Sequence, residues 1–308
     1  MTGDPYHPRR FPIKAVIVIL VVIGIAAIWG GRQIASSVGT AVTGTLEASG
    51  LSSPEVSNET LETGPKTINL AYVLRGKPGS IRFDAYRGGV NDYLSTKYPA
   101  SFRDDRDYWL QFVDESIQDR YLKQLAGNIR AAEPEPDNQV RAAISMVQQI
   151  PPYADYSFDT AAKYPYHVLY HKDGGDCDEK SLLLAYLLRE MGYGVALFEF
   201  EQESHMAVGI KAPDRYCYRD TGYAFIETTV PSIPTDAGGE YGGDDGIKMT
   251  SKPKVFVIAE GDSFEGIWRE HADAVEWNKI RGMGPKLDSY NYGRYRNLAQ
   301  TYGMDYGG

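Results

Sequence analysis

Gly174-Gly175-Asp176-Cys177-Asp178-Glu179-Lys180-Ser181, continued by Leu182-Leu183-Leu184-Ala185-Tyr186-Leu187-Leu188, is the stretch from which the rest of the chain can be read. Two glycines permit a tight turn and leave space above the residues that follow. Asp176 is a good helix N-cap, and Glu179 three residues later completes a capping box, which puts Cys177 in the first turn of a helix. Unpaired amide N–H groups and the positive end of the helix dipole favour an anion there. The spacing therefore predicts a thiol that ionises more readily than a free cysteine. Leu182 to Leu188, with Met191, are apolar on nearly every face, which predicts a helix buried in a core. A nucleophile on such a helix is held still.

A thiolate nucleophile needs a general base, and the base an orienting group. Val195 to Phe200 reads as a strand, Glu201 to Glu203 as a turn, and Ser204 to Ile210 as a second strand with His205 at its start. A third strand, Tyr223 to Thr229, carries Glu227 shortly before Pro231, and adjacent strands would bring Glu227 next to His205. Cys177, His205 and Glu227 follow in that order, each near the end of an element.

This pattern resembles the transglutaminase-like superfamily of papain-related cysteine enzymes. The resemblance rests on Gly175-Asp176-Cys177-Asp178 before a Leu-rich helix, on His205 opening a strand after Gly192-Tyr193-Gly194, and on a strand ending in Glu227-Thr228-Thr229. The lead-in Val147, Gln148, Gln149, Ile150, Pro151, Tyr153, Tyr164 and Pro165 also matches, so the likeness covers roughly residues 138 to 230. It implies an α+β fold whose buried helix carries Cys177 and packs on an antiparallel sheet carrying His205 and Glu227. In it Cys177 is the nucleophile, His205 the general base and acid, and Glu227 the carboxylate that orients the imidazole. The implied chemistry is acyl transfer or hydrolysis at peptide or isopeptide amides through a thioester on Cys177. The backbone N–H of Cys177 is one oxyanion donor, and Gln148 or Gln149, upstream of the nucleophile, is a candidate for the second.

Two departures stand out. Glu227 replaces the Asp of many members, a conservative change because either carboxylate accepts from an imidazole N–H. Ala207 stands where an aromatic residue often lies two positions after the His. The superfamily also holds catalytically silent binding or assembly modules, and that alternative stays open. So does a tethered structural protein with Cys177 in its core, although a core cysteine needs neither the glycine pair, the cap, nor a matching His and Glu. No cofactor is implied. Calcium, which some transglutaminases require, would have to come from Asp236, Glu240, Asp244 and Asp245 in the loop after Pro231, and EF-hand spacing is absent there.

The remainder of the 308 residues organises around this core. Residues 1–14 hold Arg9, Arg10 and Lys14, and 15–31 (Ala15 to Gly31) contain no charge, a length at the low end of what spans a bilayer of about 30 Å and read as one membrane helix. The positive-inside rule then puts the N-terminus in the cytoplasm and the rest outside, as a single-pass membrane protein. A cleaved signal peptide is the competing reading, but no small-x-small site follows directly. Residues 32–65, rich in Ser, Thr, Gly and Glu, read as a linker or stalk. Residues 66–135 form a platform: a hairpin from Thr67 to Tyr86 turning through Gly76 to Gly79, then a helical pattern from Tyr108 to Ala132. The catalytic core spans 136–262 and begins with a helix from Asp137 to Ile150. Residues 263–308 give a helix from Phe264 to Ile280 and a compositionally loose tail, which drapes over the domain or lacks fixed structure.

Tyr153, Tyr156, Phe158, Tyr164, Tyr166 and Tyr170 crowd the approach to the nucleophile, either as walls of a peptide groove, with Tyr164 and Asp176 on the substrate side, or as loop packing on the core. His167 and His171 have helical metal-pair spacing without a third ligand nearby, so no metal site is expected. A net charge of −9 argues against nucleic acid as a partner and leaves a peptide or protein substrate. Two cysteines give no disulfide framework; a Cys177–Cys217 bridge is the alternative to a free nucleophile.

Overall fold

The alternating stretch after residue 64 forms the expected hairpin, with its turn moved. In the computed structural model, which describes residues 58–97, 101–151, 162–170, 174–238, 240–241 and 247–304, a single turn α1 (Asn58–Leu61) precedes β1 (Pro65–Leu74) and β2 (Lys77–Tyr86). Leu74 pairs with Lys77, so only Arg75 and Gly76 form the turn, with φ of 52° and 78°. Two left-handed residues give the twist that strands of a tight hairpin require. Gly79 instead lies inside β2 opposite Tyr72, where an added Cβ would meet the Tyr72 ring at 2.3 Å.

After α2 (Asp92–Ser95), the expected long helix is two: α3 (Asp105–Val113) and α4 (Ser116–Ala132). Carboxylates make the break, because Asp104 caps α3 by accepting from Asp107 N and Glu115 caps α4 by accepting from Ile117 N. Helix α5 (Pro136–Gln149) begins on a proline, whose missing N–H is not needed in a first turn. The hairpin rests on α5, and Val73 N donates to Ser145 Oγ at 2.8 Å.

A short α6 (Pro165–Tyr170) leads to α7 (Cys177–Glu190), in which every residue from Glu179 to Leu188 is buried. Each leucine of the run contributes roughly 2 kcal/mol by leaving water. Helix α7 packs across β3 (Val195–Phe200) and β4 (His205–Lys211), which with β5 (Tyr223–Ile226) and, after the small hairpin β6 (Glu240–Tyr241) and β7 (Ile247–Lys248), with β8 (Lys254–Ala259) form a four-stranded sheet. The order is β5-β4-β3-β8, each neighbour antiparallel. The strands read as continuous apolar runs because both faces are covered. Val195 and Leu197 join the α7 core, while Ala196, Phe198 and Phe200 join a second cluster with Ala207 and Phe225. The fold is thus α+β, with antiparallel strands and helices packed on them.

The C-terminal region departs most from expectation. Glu265–Ile267 is a 3₁₀ turn into α8 (Trp268–Arg281), and the supposedly loose tail contains α9 (Ser289–Thr301). Asp288 caps α9 by accepting from Asn291 N, and Leu298 and Ala299 pack with Ile233, Trp277 and Ile280. Trp277 stacks on Tyr295 with centroids 4.6 Å apart. With Gly293 inside it and few apolar residues, α9 draws its stability from packing rather than propensity. The charge-free segment Ala15 to Gly31 lies outside the described residues, among which no helix is long and apolar enough to cross a membrane.

Candidate active site

The turn that opens α7 is built from Gly174. Its φ is +88°, and an added Cβ would lie 1.7 Å from the carbonyl oxygen of Pro151, while Gly175 N donates to that same oxygen at 3.2 Å. Gly174→Ala should therefore destabilise the protein by about 2 kcal/mol or more. An unchanged melting temperature would show that the turn is not held this way. The capping box is complete: Asp176 Oδ1 accepts from Asp178 N at 3.1 Å and Glu179 N at 3.2 Å, and Glu179 Oε2 accepts from Asp176 N at 3.3 Å. Asp176 thus serves the helix, and the cap leaves the N–H of Cys177 unused.

Helix α7 is joined to both other elements one turn beyond the cysteine. Ser181 Oγ lies 3.4 Å from the carbonyl oxygen of Met206 and 2.9 Å from Thr228 Oγ1, the neighbours in sequence of His205 and Glu227. The backbone N–H of Met206 faces the Cys177 thiol. Glu227 sits just past β5 rather than within it, fully buried, and its Oε2 lies 2.8 Å from His205 Nε2. Its Oε1 accepts from Thr229 N at 2.7 Å. With Nε2 directed at the carboxylate, Nδ1 is the imidazole nitrogen left for a thiol proton.

Burial works to raise the Glu227 carboxyl, but the His205 charge and hydrogen bond, with Thr229 N–H, hold it below the usual carboxylate range. For His205, burial pulls the pKa down, yet Glu227, joined by the charges of Asp178 and Glu203, outweighs it and the net direction is up. The thiol runs against the sequence expectation. Burial first, then the charges of Asp178 and Asp176, push Cys177 well above an ordinary thiol, with only Met206 N–H opposing among these groups. The partial charge of a helix end is outweighed by the burial of the sulfur and by the two carboxyl groups beside it. Asp178, 3.4 Å from Sγ, is itself pushed up to about 7 by burial and Asp176.

Comparison with protein-family models, curated proteins and solved structures gave no match.

Other candidate residues are placed elsewhere. Gln148, buried, donates from Nε2 to the carbonyl oxygen of Glu227 at 2.8 Å and to Ser232 O and Oγ at 3.3 and 3.2 Å. Those bonds occupy its amide hydrogens and make it a support for the acidic segment, not a donor facing Cys177. Gln149 Nε2 reaches Gly303 O at 3.4 Å, tying α5 to the C-terminal region. Tyr164 is buried against Phe112 and His167, and burial pushes its hydroxyl up to about 12. It packs as core, as does Tyr166, whose hydroxyl accepts from Tyr86 N. Tyr153, Tyr156, Phe158 and His171 lie outside the described residues. His167 is structural: Nδ1 accepts from Tyr164 N, and Nε2 meets Asn91 O and Ser95 Oγ, each at 3.1 Å.

Both cysteines are free thiols, and Cys217 Sγ points to Ala212 O at 3.3 Å. In the acidic loop Asp236 is buried, accepting from Asn278 Nδ2 and paired with Arg281, while residues 239 and 242–246 lie outside the described residues. Among the described residues no group of three His, Cys, Asp or Glu side chains is gathered to hold a metal ion. A cavity of about 220 Å³ is lined by Gln148 together with Val73, Arg141, Ile144, Ser232 and Tyr302 among others, and none of Cys177, His205 and Glu227 lines it. Sequence reasoning missed Ser181 and Lys180. Their signal was the spacing of three and four residues after the cysteine, which carries no meaning until the partners are known.

Proposed function

We propose that the chain is a membrane-anchored transglutaminase-like cysteine enzyme that acts on peptide or isopeptide amides. Its N-terminus would be cytoplasmic and its catalytic domain extracytoplasmic. The observation that supports this most is the 2.8 Å contact between His205 Nε2 and a fully buried Glu227, beside the capped helix start that carries Cys177. In this reading His205 Nδ1 takes the thiol proton as the sulfur attacks the amide carbonyl. The N–H of Cys177, which the Asp176 cap leaves unused, faces the developing oxyanion. His205 then passes the proton to the leaving amine, and a thioester remains. Water or an amine releases the acyl group. Because burial and the neighbouring carboxylates push the Cys177 thiol well above its ordinary value, the resting proton belongs on sulfur, and the thiolate forms as the base removes it.

A second reading, a silent binding or assembly module, is favoured by the half-buried thiol that burial and its carboxylate neighbours hold protonated. Iodoacetamide labelling separates the two in the full chain carrying Cys217→Ser. The enzyme reading expects Cys177 to label about ten-fold or more faster at pH 7 than in the His205→Ala protein. Equal, slow labelling in both sinks it and leaves the module. Once an amide substrate is found, Cys177→Ala should remove turnover with little change in melting temperature.

A further inference from the structure

One turn beyond Cys177, Lys180 has no exposed surface at all. Its Nζ donates to the carbonyl oxygens of Ile150 at 2.6 Å, Thr229 at 2.7 Å and Gln148 at 3.4 Å. Enclosing a cation among carbonyls costs several kcal/mol of hydration, and apolar side chains of similar volume commonly fill such space at less cost. Burial accordingly pulls Lys180 down to about 7, with the charge of Glu227 opposing. What an apolar chain lacks is donors that tie two segments to α7: the C-terminal end of α5, where Gln148 and Ile150 lie, and the segment just past the acid. Thr229 lies at the centre of that arrangement. Its carbonyl accepts from Lys180, and its N–H donates to Glu227 Oε1, whose other oxygen meets His205.

We propose that Lys180 is a positioning residue for the Cys177–His205–Glu227 set, locking residues 227–229 onto the helix that bears the cysteine and so fixing how Glu227 meets His205. Carbonyl partners permit this: an ammonium bonded to Glu227 itself would compete with the imidazole, whereas one bonded to the neighbouring backbone does not. Ser181 repeats the device through Thr228, so two successive residues of α7 hold two successive residues after the acid. The proposal rests on the catalytic reading of that set.

The test is a double-mutant cycle in the full chain with Cys217→Ser, read as Cys177 labelling by iodoacetamide at pH 7. Lys180→Met should slow labelling at least about five-fold when Glu227 is present and less than about two-fold in the Glu227→Gln background, since residues of one network couple. Equal losses in both backgrounds, or no loss in either, would overturn it. Hydrogen exchange in the unsubstituted protein decides the matter if Lys180→Met does not fold: the Thr229 amide should be protected like the interior of α7, and exchange at a surface-loop rate overturns the proposal. Labelling that ignores His205 removes the catalytic reading and this role together. Labelling that depends on His205 but not on Lys180 removes the role alone.

Discussion

Glu227→Gln should slow acylation of Cys177 by p-nitrophenyl acetate by about a hundred- to ten-thousand-fold near neutral pH, the range expected when a general base loses its orientation. The carboxylate is acceptor-only, so it demands the proton on Nε2 of His205 and leaves Nδ1 free to receive one. An amide of the same shape can donate to Nε2, moving the proton to Nδ1, where it blocks transfer from sulfur. Charge acts in the same direction. Burial lowers the His205 pKa and the charge of Glu227 raises it, so neutralising residue 227 leaves burial unopposed by that charge and the imidazole titrates at lower pH. An NMR titration of the His205 ring should show that downward shift beside the kinetic loss. Acylation at the wild-type rate would mean that the carboxylate is not used.

The largest effect on stability is expected away from the site. Arg141 on α5 and Glu270 on α8 are both buried and paired in two contacts, Nε to Oε1 at 2.6 Å and a terminal guanidinium nitrogen to Oε2 at 3.3 Å, with Gly266 O accepting from the same terminal nitrogen at 2.9 Å. Glu270→Ala takes the nearer carboxylate from a buried guanidinium, leaving only the half-exposed Asp137 Oδ2 at 3.8 Å, and should cost about 3–5 kcal/mol in urea unfolding. Replacing both partners by methionine should cost far less, since no charge is then stranded. A Glu270→Ala protein within about 1 kcal/mol of the parent would show that solvent reaches the pair.

The helix of the candidate nucleophile was legible because its signals are local. An Asp at the cap, a Glu three residues later and an unbroken apolar run act within one or two turns, and the structure uses each as the sequence implied. The strands bearing His205 and the approach to Glu227 were legible for a similar reason; the short turn after β3 accounts for the β3–β4 pairing, while β5 reaches β4 across residues 212–222. Helix α9 was not, since its capping Asp288 is a weak sign alone and its apolar contacts come from Ile233 and α8, far away in sequence.

Within the site the division is sharper. Sequence alone determined which three residues to examine and which elements carry Cys177 and His205, because residue type and capping are properties of short stretches. Tertiary structure decided how the groups behave. The thiol is pushed up rather than down because burial and the carboxylates of Asp178 and Asp176 outweigh a helix end. Gln148 serves Glu227 because its amide meets a segment nearly eighty positions on. Lys180, which reads as an ordinary helix lysine, became the link between α7, α5 and Thr229. Desolvation and hydrogen bonding depend on which distant segments close around a group, and only the folded chain determines that.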